Sequence, residues 1–157
     1  MAPEDLSVFW SDTIEELART PINHALEEAP GQSARDFDTH LVRMDSFQGK
    51  RIRAWYSVPK DSQPGGKLPA ILAVPGYGGD KVIPTNLVMA GFAVLTLFPR
   101  AQGESRQEWD LDYGTKLTYH ITDKEKYYYR GAYMDCLRGL DFLSEQPEVD
   151  VGRLGMW

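Results

Sequence analysis

The stretch Ala73-Val-Pro-Gly-Tyr-Gly-Gly-Asp80 sets three glycines around one tyrosine, directly after the apolar run Leu68-Pro-Ala-Ile-Leu-Ala73. Glycines in that position let something approach the backbone closely: a phosphate, a developing oxyanion or another segment of the protein. Phosphate chemistry asks for stricter spacing. A P-loop reads G-x-x-x-x-G-K-[ST], and a dinucleotide fingerprint reads G-x-G-x-x-G with an acidic residue about twenty positions on. Gly76, Gly78 and Lys81 fit neither pattern. Two readings stay open: a loop that lends the Tyr77 N–H to an oxyanion, and a glycine-lined turn with Tyr77 packed over its neighbours.

Other residue types narrow the chemistry. Neither Ser105 nor Ser144 stands in the G-x-S-x-G context of an exposed nucleophile, and they read as a loop residue and a helix-surface residue. The single cysteine, Cys136, excludes an intrachain disulfide and, among apolar neighbours, reads as a small core residue. His24, His40 and His120 are far apart without ligand spacing, so neither a metal nor another cofactor is expected. A formal net charge of -6 disfavours nucleic acid as a partner, because phosphate neutralisation needs clustered Lys and Arg. No long apolar span is present, and Met1-Ala-Pro-Glu-Asp5 is acidic where a leader would be basic, so no membrane partner and a cytoplasmic location are expected. A small substrate with little charge fits this balance.

Positioning such a loop takes a sheet. Leu6, Val8, Phe9, Trp10, Ile14 and Leu17 follow Pro3-Glu-Asp5 at helical spacing, up to Pro21. Residues 38–45 and 50–58 alternate apolar and polar around Gln48-Gly49, which predicts an antiparallel hairpin. A turn-rich loop, residues 59–67, precedes the continuous apolar run 69–74, and a second such run, Phe92-Ala-Val-Leu-Thr-Leu-Phe98, follows a short helix around Asn86-Leu-Val-Met-Ala90 that Gly91 ends. Apolar runs without alternation are strands covered on both faces, and a helix between two of them indicates a parallel pair. Tyr127 to Gln146 carries the longest helical pattern, ended by Pro147, and Val149 to Trp157 begins another strand. The layout is α/β with a mixed, mostly parallel sheet and flanking helices.

Four segments together resemble the cephalosporin C deacetylase and acetyl xylan esterase family. Pro75-Gly-Tyr-Gly78 is similar to its H-G-Y-x-G loop, Arg100-Ala-Gln-Gly-Glu-Ser105 to its R-G-Q-G-x-S loop, and Tyr127-Tyr-Tyr-Arg130 to its Y-Y-Y-R helix start. Asp135-Cys-Leu-Arg138, Pro147-Glu-Val-Asp150 and Arg153 resemble the D-x-x-R-A and P-E-V-D-x-x-R-I pattern that leads to the nucleophile strand. With the Phe9-Trp10 helix these span nearly the whole chain in the family's order. Pro75 and Ala101 depart from it, standing where the family has His and Gly.

The resemblance implies the N-terminal portion of a single α/β-hydrolase domain over residues 1–157, with a helical segment over 1–35 and part of the sheet and its helices over 36–157. It implies a serine ester hydrolase that removes acetyl groups from acylated sugars or similar small esters, and a homo-oligomer for the full-length parent. Tyr77 would donate its backbone N–H to the oxyanion, Gly76 and Gly78 would border the substrate, and Arg100, Gln102, Arg130 and Asp135 would support the site from beneath without touching substrate. The family continues beyond the Arg153-Leu-Gly-Met-Trp157 strand into a G-x-S-Q-G-G elbow, so the sheet is expected to be truncated at the nucleophile strand, these residues alone to be inactive, and the outer edge of that strand to be bare. The alternative is a non-catalytic hydrolase module that acts only by pairing with another chain.

Overall fold

The computed structural model describes residues 3–60, 66–77, 81–112 and 114–157. Among them six strands form one sheet in the order β1-β2-β3-β5-β4-β6: β1 (Ala25–Glu28), β2 (Phe37–Asp45), β3 (Arg51–Pro59), β4 (Leu68–Ala73), β5 (Ala93–Phe98) and β6 (Val149–Met156). Helices α1 (Leu6–Ala18), α2 (Thr85–Met89) and α3 (Tyr128–Glu145) flank it.

The expected hairpin is β2 and β3, in full antiparallel register from Phe37↔Pro59 to Asp45↔Arg51. Gln48 and Gly49 turn it with left-handed backbones, φ 57° and 67°, and the Ser46 N–H closes it on Lys50 O at 2.7 Å. The two apolar runs pair in parallel as β4 and β5, and β6 pairs in parallel with the other side of β4. The sheet is mixed as expected, but parallel pairing is the minority. β1–β2, β2–β3 and β3–β5 are all antiparallel, because the hairpin sits inside the sheet and gains a further strand on its outer side. That strand, β1, lies within the segment read as helical, and its four residues are all exposed.

Alternation divides the core. Even-numbered positions of β2 and β3 (Val42, Met44, Ile52, Ala54, Tyr56) join Leu72, Leu95 and Leu97 under Phe142 and Leu143 of α3. The other face buries Phe37, Ala73 and Val94 under Val88 of α2. All six residues of β5 are buried, as a strand covered on both faces must be. Gly139 makes the α3 contact possible, since a Cβ there would come within 2.9 Å of Leu72 and 3.2 Å of Leu97. On the outer side of α3, Arg138 donates through Nη2 to Leu17 O and Thr20 O, both at 2.9 Å, and so ties α3 to carbonyls at the end of α1.

Candidate active site

β4 delivers the glycine–tyrosine loop to the carboxyl end of β6. Their ladder runs on past the strand ends: the Trp157 N–H donates to Leu72 O at 2.9 Å and the Val74 N–H to Trp157 O at 3.0 Å. The chain then turns through Pro75, Gly76 and Tyr77; Gly78, one of the expected substrate-bordering residues, lies outside the described residues. Beyond that gap Lys81 places its ammonium 3.8 Å from the centroid of the Trp157 ring. Both limbs of the loop therefore flank the end of β6. Gly76 is exposed, its backbone is not left-handed, and nothing lies within 4 Å of where a Cβ would stand. Neither packing nor dihedral strain calls for glycine there.

The Tyr77 side chain is exposed. Burial raises the pKa of Tyr129, and the phenols of Tyr77, Tyr127 and Tyr133 add to the rise. Of the three consecutive tyrosines only Tyr128 is buried. Its hydroxyl donates to Arg100 O at 2.7 Å and accepts from Gln102 Nε2 at 3.0 Å. Burial pushes that phenol up to about 12, against the opposing effect of the Gln102 hydrogen bond.

Beneath the loops Arg100 and Asp135 form an enclosed pair, 5% and 0% exposed at the side chain. Arg100 Nε and backbone N both donate to Asp135 Oδ2 at 2.9 Å, and Nη2 donates to Asp135 Oδ1 and to Phe47 O, each at 2.9 Å. Ser46 Oγ donates to the same Oδ1 at 2.5 Å. The carboxylate thus joins the end of β5, the β2–β3 turn and α3. Gly131 lets the guanidinium lie flat on the helix, because a Cβ at 131 would collide with it. Ser105 is buried rather than a free loop residue: its hydroxyl donates to Phe98 O (2.5 Å) and accepts from the Arg53 N–H (2.7 Å), tying the loop after β5 to β3.

Arg130 points elsewhere. It donates to Thr13 Oγ1 (3.0 Å) and Glu16 Oε2 (3.1 Å) of α1 and pairs with Glu125 at 2.7 Å, with its guanidinium 4.9 Å from the Phe47 ring centroid. It fastens α1 and α3 together, and the Arg100 guanidinium lies 5.9 Å from the same Phe47 centroid. The structure brings Arg100, Gln102 and Asp135 into one connected group with Tyr128, and leaves Arg130 outside it. Ser46, Phe47 and Gly131 were not singled out by the sequence reading. Only Gly131 left a signal there, as a glycine inside a helical pattern. Among the described residues no group of three or more His, Cys, Asp or Glu could hold a metal ion, and no helix is long and apolar enough to cross a membrane.

The model of the family described as "Acetyl xylan esterase (AXE1)" matches residues 1–157. Acetyl esterase Axe7A of Xylanibacter ruminicola is 26% identical over 161 residues, which cover 94% of this chain and 36% of that protein. Among solved structures, an acetyl xylan esterase from Paenibacillus sp. R4 superposes with a TM-score of 0.86 at 27% identity, covering 100% of this chain and 52% of that one. Acetyl xylan esterase 1 from Thermoanaerobacterium sp. JW/SL YS485 gives 0.84 at 26%, covering 99% and 50%. The chain spans about half the length of these solved relatives. A methylesterase, BT1017, shares the fold at 14% identity and a TM-score of 0.68.

Proposed function

Because this chain belongs to the acetyl xylan esterase family, we propose that it forms the oxyanion-donating portion of a single α/β-hydrolase domain, in a serine ester hydrolase that removes acetyl groups from acylated sugars or similar small esters. The parallel β4–β6 ladder carries the reading. It sets the Pro75-Gly76-Tyr77 turn beside the carboxyl end of the strand from which the fold's nucleophile elbow departs. An ester carbonyl attacked by a serine at that elbow develops negative charge on its oxygen, and a backbone N–H already aimed there stabilises it without reorganising. The Tyr77 N–H is that donor. Arg100, Asp135 and Tyr128 keep the neighbouring loop and the start of α3 rigid. Cephalosporin C, itself an acetate ester, would be a second substrate for the same deacetylation, and the full-length protein would assemble as a homo-oligomer.

The test is hydrolysis of p-nitrophenyl acetate by the product of the complete open reading frame. Tyr77→Phe should leave kcat close to that of the parent, whereas Tyr77→Pro, which deletes the N–H, should lower it roughly 10²–10³-fold, the loss typical of one oxyanion donor. Equal losses in the two variants would move the role to the phenol hydroxyl. An active proline variant would remove Tyr77 from the oxyanion hole.

A further inference from the structure

A cleft of about 200 Å³ opens between the start of β3, the segment 109–126 and the start of α3. Trp109, Tyr119 and Tyr127 wall it with rings, Trp109 and Tyr119 meeting edge-on with centroids 6.0 Å apart. Its charged lining residues are all basic, namely Lys50, Arg100 and Lys126, and His120 lines it beside them. Among the described residues no carboxylate lines it, in a chain whose formal net charge is -6. Arg100 is bound to Asp135 and Lys126 pairs with Asp123 at 3.4 Å. Lys50 differs: its ammonium lies 4.4 Å from the Trp109 centroid, and it forms no ion pair among the described residues. The His120 ring meets that of Tyr119 edge-on, with centroids 4.4 Å apart, from a left-handed backbone, φ 54°. That conformation is strained for a non-glycine residue and persists where surrounding structure holds it. Here the Asp123 N–H, donating to His120 O at 2.9 Å, does so.

We infer that this cleft binds a carboxylated pyranose, a uronic-acid unit of the glycan whose acetyl ester meets the Tyr77 loop. Rings bury the C–H face of such a sugar, and an ammonium without a counter-ion takes its carboxylate. Ordinary small-molecule sites run to roughly 300–1,000 Å³, so a space below that range takes one ring rather than a chain. The cleft reaches the start of α3, where the Tyr127 ring is 5.8 Å from that of Tyr129, and the Tyr77 phenol adds to the rise in the Tyr129 pKa. The choice of a sugar over another carboxylated ring rests on the esterase reading above. Binding is measured without turnover, so failure of that reading and failure of this one are separate results.

The experiment titrates the ¹⁵N-labelled full chain with D-glucuronate, D-glucose and benzoate, following the Trp109 indole N–H, assigned with Trp109→Phe. Glucuronate is expected to bind about tenfold more tightly than glucose, with the preference shrinking as salt rises. Lys50→Gln should abolish the preference and Lys126→Gln should keep most of it, both with unchanged melting temperatures. Equal binding of the two sugars, shifts that spare Trp109, or a preference that survives Lys50→Gln would each overturn the proposal. Benzoate matching glucuronate would overturn its sugar component and leave a site for carboxylated aromatic rings.

Discussion

Asp135 receives two bonds from the Arg100 side chain, one from the Arg100 backbone and one from Ser46, all within a space closed to solvent. Removing one charge of such a pair leaves the other buried and uncompensated, which costs about 3–5 kcal/mol. Asp135→Asn, which keeps the shape, is expected to lower unfolding free energy by that amount in urea titration; a loss below about 1 kcal/mol would mean that the pair is solvated. Gly131→Ala acts on the same pair from the helix side by displacing the guanidinium, and about 1–3 kcal/mol of destabilisation is expected from overpacking. Cys136 illustrates burial acting on a lone group. Burial, with the Asp135 charge adding to it, pushes its thiol up from 9.0 to about 12. Folding therefore favours the neutral form: the associated stability is fully present below pH 9 and is lost as pH rises toward 12. At pH 8 Ellman's reagent should label Cys136 only as fast as the protein opens, and labelling within seconds in the native state would contradict this.

At the scale of elements, β5 and β6 are both apolar-rich strands with opposite surroundings. β5 is hydrogen-bonded on both sides, to β3 and β4. Among the described residues β6 pairs only with β4, through a register shift, and leaves Val151, Met156 and Trp157 exposed. Backbone bonds open locally in proportion to how little packing covers them. Hydrogen exchange is accordingly expected to be faster across 151–156 than across 93–98, and equal protection would mean that the β6 edge is covered. Sequence patterning marked both strands because their runs are apolar. It missed β1, whose residues Ala25-Leu-Glu-Glu28 are all exposed and have no face to alternate, so that the strand is held by its ladder with β2. α1 was legible from its spacing, whereas its attachment through Arg130 and Arg138 was not.

For the whole molecule, the sheet order puts the candidate oxyanion loop, the end of β6 and the Arg100–Asp135 scaffold on neighbouring elements. None of the 157 residues is a serine in a G-x-S-x-G elbow, so this polypeptide by itself is expected to show no turnover of p-nitrophenyl acetate above a heat-treated control. Turnover abolished by a serine-directed inhibitor would reveal a nucleophile of another kind. By itself the sequence determined the strands and helices with strong period, their order, the hairpin turn at Gln48-Gly49 and the family motifs, because these depend on neighbours a few positions away. Tertiary structure alone decided that Ser46 meets Asp135 across 89 positions and Arg100 meets it across 35, that Arg130 serves α1 instead, and that Lys50, Arg100 and Lys126 line one cleft of an acidic chain. Such meetings arise from how the helices settle on the sheet, and a repeat of two or 3.6 residues carries no record of them.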